Sequence, residues 1–195
     1  MDSDYYTDAI TYTKVNILET MENTAEHNHG EVHVAHQVVG FKKIKFFTNE
    51  NVGSGDLNLP VQEMHTTAYW ITIPHDRFNA LPFGSIERLN GLHGLAFVMA
   101  QLSSVFLMCD RRDLGSAVDA GTENPLFDPT VFIYDNYPGG IGLSRPLYEI
   151  RNPVIAAAQD LIRSCGCEEG CPSCVGPSSN AKEATLVLLD ILRHA

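Results

Sequence analysis

The chain has 195 residues and a mass of 21.5 kDa, of which 44% are hydrophobic and 19% charged. This composition excludes wholesale disorder and allows a single domain that buries its own core without disulfide staples. A net charge of −11 argues against a module that holds nucleic acid by bulk positive charge alone, because phosphate contacts need clustered Lys and Arg.

The acidity is uneven, with seven acids and one base in residues 1–31. Residues 1–7 are expected to be disordered or an added lead. The lack of a linker before Ile10-Thr11-Tyr12 points to a piece of a larger protein. Residues 8–19 alternate apolar and polar side chains with β-branched residues, which favours a strand. Asn23 to Gly30 reads as a connection. Glu31 to Phe47 reads as two strands, or one long strand bent at Gly40 by a bulge. Residues 49–56 carry strong turn chemistry and read as a loop. A further strand runs from His65 to Ile73 and ends at Pro74, so the first third is expected to be antiparallel β.

The period then changes. Ser85 is placed to cap a helix reaching about Met108, with Glu87 in its first turn and apolar residues recurring every three or four positions. Gly91 and Gly94 disfavour a helix unless another backbone packs closely there. Residues 110–129 are polar and turn-rich, and Thr130 to Tyr134 is a short buried strand. Helices follow at about Leu143–Ile162, interrupted near Pro153, and at about Lys182–Leu192. The fold class is therefore α+β: an antiparallel β-rich N-terminal half, then a helical C-terminal half. The acidic N-terminus lacks a secretory signal. The apolar run from Gly91 to Cys109 is interrupted by His93, Gln101, Ser103 and Ser104, so a cytoplasmic protein without a membrane partner is expected.

Four of the five cysteines fall within ten residues: Cys165, Cys167, Cys171 and Cys174, in the pattern C-x-C-x3-C-x2-C between the last two helices. Four thiolates close a tetrahedral shell around one zinc ion and leave no position for water, so such a site is structural rather than hydrolytic. Gly166 and Gly170 permit sharp turns between ligands. Two disulfides, free thiols or an iron–sulfur cluster are the competing readings, and zinc is preferred.

Other residues carry weaker signals. The strand-to-helix turn around Tyr137-Pro138-Gly139-Gly140 is able to bind an anion through its amides, with Arg145 one helical turn on. The structural reading, a tight turn packed against the metal knuckle, is preferred for it. Lys43 and Lys45 share one face of a strand, within the only basic run, and either meet a phosphate backbone or protect a sheet edge. The candidate DNA contacts are thus Gly139, Gly140, Arg145, Lys43 and Lys45. Asp110, Asp113 and Asp135 suggest a metal nuclease, but the interleaved Arg111 and Arg112 read better as ion pairs fixing a loop. Cys109 reads as a core residue. His27, His29, His33 and His36 read as solvated strand and loop histidines.

The order of these features is more specific than any one of them. Val38-Val39-Gly40-Phe41-Lys42-Lys43, Thr66-Thr67-Ala68-Tyr69-Trp70, Leu92-His93-Gly94, Cys109-Asp110-Arg111-Arg112-Asp113-Leu114-Gly115, Tyr134-Asp135 with Pro138-Gly139-Gly140, and the four cysteines follow one another. Together they resemble the C-terminal zinc-binding domain of MrfA-type bacterial DNA-repair helicases, relatives of the Hrq-type RecQ-like helicases. The resemblance covers the chain from about Tyr5 onward. It implies one accessory domain, residues 1–195, with 163–177 as its zinc-binding segment and Cys165, Cys167, Cys171 and Cys174 as ligands of one structural Zn2+. It also implies a parent that is an ATP-dependent 3′-to-5′ superfamily 2 DNA helicase in interstrand-crosslink repair. The expected partners are the motor domains of the same polypeptide, and DNA through them. No Walker A motif and no Asp-Glu-x-His box occur in this chain, so no enzymatic activity is expected of it alone. A docking module for other repair proteins, motivated by the acidic residues 1–31, is the competing function.

Overall fold

The computed structural model of the chain describes residues 4–24, 26–48, 50–121, 128–178 and 180–193. Six strands form one antiparallel sheet: β1 (Tyr5–Thr24), β2 (His27–Lys45), β3 (Asn51–Asp56), β4 (Gln62–Thr72), β5 (Leu114–Asp119) and β6 (Thr130–Asp135). The spatial order is β1-β2-β4-β6-β5, with β3 also paired to β2. The helices are α1 (His75–Asn79), α2 (Ser85–Phe106), α3 (Ser144–Glu149), α4 (Arg151–Ser164) and α5 (Lys182–Arg193). The α+β class and the antiparallel N-terminal sheet hold, although β5 and β6, from the second half of the chain, complete the sheet.

Several local expectations need correction. Tyr5, Tyr6 and Thr7, expected to be disordered, are strand residues opposite Lys45, Ile44 and Lys43. The expected connection at Asn23–Gly30 shrinks to a tight hairpin turn, because Asn23 pairs with Asn28 and Thr24 with His27. The glycine-rich loop expected at 49–56 is mostly strand β3, aligned on β2 from Gly40 to Ile44. β2 thus serves two strands on one edge, β4 along its first half and β3 along its second. Beyond the main sheet, β1, β2 and β3 continue as a three-stranded arm.

Both faces of the sheet are covered at its centre. Tyr69, Ile71, Val131 and Ile133 face the helices, whereas Ala68, Trp70, Phe132 and Tyr134 join Val15, Val32 and Val34 on the other side. Alternation along β4 and β6 assigns these faces. The central helix α2 buries Leu92, Leu95, Ala96, Val98 and Met99. By length and composition α2 is apolar enough to cross a membrane, but half of its apolar window lies inside the fold, as befits a core helix. Its cap is Gly84, not Ser85, and the Glu87 carboxylate accepts the Gly84 amide at 2.9 Å. The break in the next helical stretch falls at Ile150. Pro153 sits in the first turn of α4, where its missing N–H costs nothing.

His27 and His29 are buried, not solvated. His27 Nδ1 lies 2.8 Å from the Tyr69 hydroxyl, and His29 Nε2 lies 3.3 Å from Ser144 Oγ. Burial, aided by the Arg151 guanidinium, pulls the His27 imidazole down to about 4 and keeps it neutral. Their neighbours Glu22 and Glu26 are engaged by Arg145 at 3.4 Å and Arg77 at 2.5 Å.

Close packing of α5 explains the two helical glycines. A Cβ at Gly91 would stand 2.7 Å from Ala184 Cβ, and one at Gly94 would stand 2.2 Å from Thr185 Oγ1 and 3.3 Å from Val175 Cβ. Gly94→Val should therefore destabilise the chain by about 1–3 kcal/mol through overpacking. Thermal melting checks this, with Gly53→Ala as control, since a Cβ there meets only Lys43 Cδ at 3.6 Å.

Candidate metal centre

The four cysteines occupy the link between α4 and α5. Cys165 follows the last residue of α4 directly, Cys167 lies two residues on, and Cys171 and Cys174 flank a tight turn. Their sulfurs all lie within 4.8 Å of one another, and Cys174 is buried while the other three are half-buried. Cys165 and Cys171 sulfurs are 3.6 Å apart, Cys167 and Cys174 3.5 Å, and Cys171 and Cys174 3.6 Å. A tetrahedral ion with bonds of about 2.3 Å sets its sulfurs roughly 3.8 Å apart, so the donor set fits one zinc ion. These separations are far too long for disulfide bonds. A polynuclear iron–sulfur core, whose thiolates bind different irons, needs a wider opening.

The peptide amides of the turn prepare the sulfurs for a cation. The Cys171 amide donates to Cys174 Sγ at 3.4 Å, while the Cys174 and Val175 amides both donate to the Cys171 carbonyl at 3.1 Å. Hydrogen bonds from the Ser173 and Cys174 amides hold the Cys171 thiol down at about 6, whereas burial pushes Cys174 up to about 12. A bound cation draws both into the thiolate form. Gly170 takes a φ of +117°, a left-handed backbone that a side chain rarely adopts.

Lys182, in sequence only the expected start of the last helix, is part of this centre. Its ammonium donates to the carbonyls of Cys165 at 2.7 Å and Cys167 at 2.5 Å, and its amide donates to the Glu169 carbonyl at 3.1 Å. The first residue of α5 thereby clips the first half of the knuckle, from Cys165 to Glu169, and sets a positive charge beside the cysteine cluster. The only sequence signal is a lysine eight residues after the last cysteine at a helix start. Opposite, Val175 and Gly176 pack on α2: a Cβ at Gly176 would meet the Phe97 ring at 2.9 Å.

The other candidate residues separate from this centre. The glycine turn grips an internal carboxylate instead of an external phosphate. Asp135, fully buried, accepts the amides of Ile141, Gly142, Leu143 and Ser144 at 2.8, 2.7, 3.1 and 3.0 Å. The Gly139 amide donates to the His65 carbonyl and the Gly140 amide to the Tyr137 carbonyl. The turn thus packs on β4, not on the knuckle as the sequence suggested, and its amides are already engaged. Arg145 is exposed and pairs with Glu22 at 3.4 Å and Glu149 at 3.6 Å. Lys43 and Lys45 lie on the arm, far along β2 from the sheet centre.

A nuclease site does not assemble. Asp110 accepts the Arg112 amide at 2.8 Å, and Asp113 accepts the Asp110 amide and the Tyr137 hydroxyl, both at 2.9 Å. These carboxylates brace a single 3-10 turn, Arg111–Asp113. No ion pair joins them to Arg111 or Arg112 among the described residues, and Arg111 lies over the Phe97 ring at 5.8 Å. Cys109 packs half-buried against the core.

A helical layer on an antiparallel sheet, closed by a four-cysteine ion site with no open coordination position, defines a structural zinc domain. Residues 95–175 match the family model of the MrfA Zn-binding domain. Over 198 residues it is 37% identical to the ATP-dependent helicase YprA of Bacillus subtilis (strain 168), covering 97% of this chain and 26% of that protein. It is 27% identical over 127 residues to the ATP-dependent helicase hrq1 of Schizosaccharomyces pombe, covering 60% of this chain and 12% of hrq1. A crystal structure of the DUF1998 helicase MrfA bound to DNA superposes with a TM-score of 0.70 at 35% identity, covering 98% of this chain and 26% of MrfA. The chain therefore spans about a quarter of the length of YprA and of MrfA.

Replacing Cys174 by Ala should leave less than one zinc per chain and lower the melting temperature, measured by metal analysis and thermal melting. Lys182→Met should weaken zinc binding by about 10–100-fold, as loss of outer-shell partners does elsewhere, read by competition with a chromogenic chelator.

Proposed function

We propose that this chain is the zinc-stapled accessory domain of an ATP-dependent 3′-to-5′ superfamily 2 DNA helicase, acting in the cytoplasm in repair of DNA, interstrand crosslinks included. In this reading the motor domains belong to the same polypeptide, and the domain packs beside them and helps shape the DNA path. The observation that carries it is the near full-length likeness to a quarter of a helicase crystallised on DNA. The zinc shell supports a mechanical role: it fastens α4 to α5 and the pair to α2, and it offers no open coordination position for chemistry. The competing docking role drew on the acids of residues 1–31. Glu26, buried against Arg77, and Glu22, committed to Arg145, are not available for it.

The test is made in the full-length helicase. With Cys171 and Cys174 both replaced by Ala, unwinding of a 3′-tailed duplex should fall more than DNA-stimulated ATP hydrolysis does. Equal unwinding by variant and parent would refute the proposal. The isolated chain should hydrolyse no ATP.

A further inference from the structure

The hairpin that joins β1 to β2 carries two buried imidazoles beneath two helical arginines. His27 and His29 stand two residues apart on β2, paired with Ile71 and Tyr69 of β4, and point to the face that the helices cover. Around His27 lie the Tyr69 hydroxyl, Glu26 of its own turn, the backbone of Leu192 in α5 and Arg151, the first residue of α4. Around His29 lie Glu22 of β1, 3.9 Å from Nδ1, Asp135 of β6, and Ser144, Arg145, Glu149 and the Tyr148 ring of α3.

Arg151 is fixed where it stands. Its Nη1 donates to the Tyr148 carbonyl at 2.6 Å, its Nη2 donates to Thr24 Oγ1 at 3.4 Å, and its guanidinium lies over the Tyr148 ring at 4.5 Å. No carboxylate pairs with it among the described residues, and Glu26 is already held by Arg77 of α1. A proton on His27 thus sets an imidazolium against a guanidinium in a buried seat, where like charges repel strongly. Burial, and then Arg151, outweigh Leu192 and Glu26, so His27 stays neutral. Burial lowers the proton affinity of His29 as well, but Glu22, Asp135 and Glu149 answer Arg145 there and make it the weaker of the two.

We propose that the seat of α3 and α4 on this hairpin is a proton-sensitive clasp, closed on neutral His27 and His29 and opened in mild acid by repulsion of imidazolium from Arg151 and Arg145. The clasp goes beyond the helicase reading and does not depend on it. A histidine whose proton affinity is lowered in the closed form takes its proton first in the open form. The stabilisation is therefore full above about pH 6.5 and is lost as pH falls towards about 4. For His27 alone, the closed-to-open ratio should fall about tenfold between about pH 7.5 and about pH 5.5.

The test follows amide hydrogen exchange in the zinc-loaded 195-residue chain, corrected for the intrinsic pH dependence of exchange. Over those two pH units, protection of the Leu147 and Val154 amides, which donate to the Leu143 and Ile150 carbonyls, should fall about tenfold. The Val131–Tyr134 amides of β6 should keep theirs. His27→Gln should flatten the fall. Arg151→Met leaves the imidazole in its seat, so it should lessen the fall and raise the proton affinity of His27, read by NMR from the imidazole C2 proton. Titration of His27 near its ordinary value of about 6.5 in the parent chain would overturn the clasp. So would an equal loss of protection in α3 and β6, an unchanged fall in either variant, or release of zinc to a chromogenic chelator over the same pH range.

Discussion

A fully buried aspartate organises the junction between sheet and helices. Ionised carboxylates are not buried without donors, because the loss of hydration costs several kcal/mol. Asp135 meets that demand with four consecutive peptide amides, from Ile141 to Ser144, at the end of the interior strand β6. To aim four amides at one point the chain must curl tightly, and it does so with Gly139, Gly140 and Gly142 at φ of +82°, +74° and +85°. A side chain at Gly140 would strike Thr67 Oγ1 at 2.7 Å, so the curl also closes down on β4. The curl delivers Ser144 to the start of α3, where its hydroxyl donates to Thr67 Oγ1 at 2.9 Å and meets His29. The direction of α3, and through it of α4, follows from one carboxylate.

From α4 the constraint passes to the metal. The described residues between α4 and α5 contain neither strand nor helix, and the four sulfurs there would repel one another as thiolates without a cation. Ion binding turns that repulsion into a fixed corner between α4 and α5. Lys182 and the turn amides share the excess negative charge, so the corner is shaped by this chain's own groups before the ion completes it. Glycines on α2 let α5 and Val175 approach its backbone, and the helical layer becomes a single body held at two ends: by Asp135 at one and by zinc at the other.

Much of this was legible in residue order and some was not. The cysteine spacing announced a metal site because four thiols within ten residues make poor loop-closing disulfides and a ready thiolate shell. Gly91 and Gly94 announced a close neighbour because helices rarely carry two glycines without one. β3 was hidden: Val52-Gly53-Ser54-Gly55 reads as turn, yet Gly55 is required where a Cβ would stand 2.7 Å from the Phe41 ring. The ladder offered by β2 overrides local propensity there. The glycine turn after β6 reads first as a tight turn and second as an anion holder; it holds an anion, and that anion is its own neighbour, four residues before Gly139. Proximity along the chain conceals such self-capture, since a loop and the carboxylate that fills it look like separate signals. His27 and His29 were misplaced for the opposite reason: their partners Tyr69 and Ser144 lie 42 and 115 residues away.

The charge of −11 changes meaning once it is distributed over the fold. Glu22, Glu26 and Asp135 are spent inside the domain on Arg145, Arg77 and backbone amides. Electrostatic attraction over a Debye length of about 8 Å depends on local and not on total charge. On the arm, Lys42, Lys43 and Lys45 fall within four residues of each other, at the far end of β2 from the buried histidines. Asp4, Asp8, Glu50 and Asp56 stand among these lysines, so acid and base nearly cancel on the arm and long-range attraction finds no centre there.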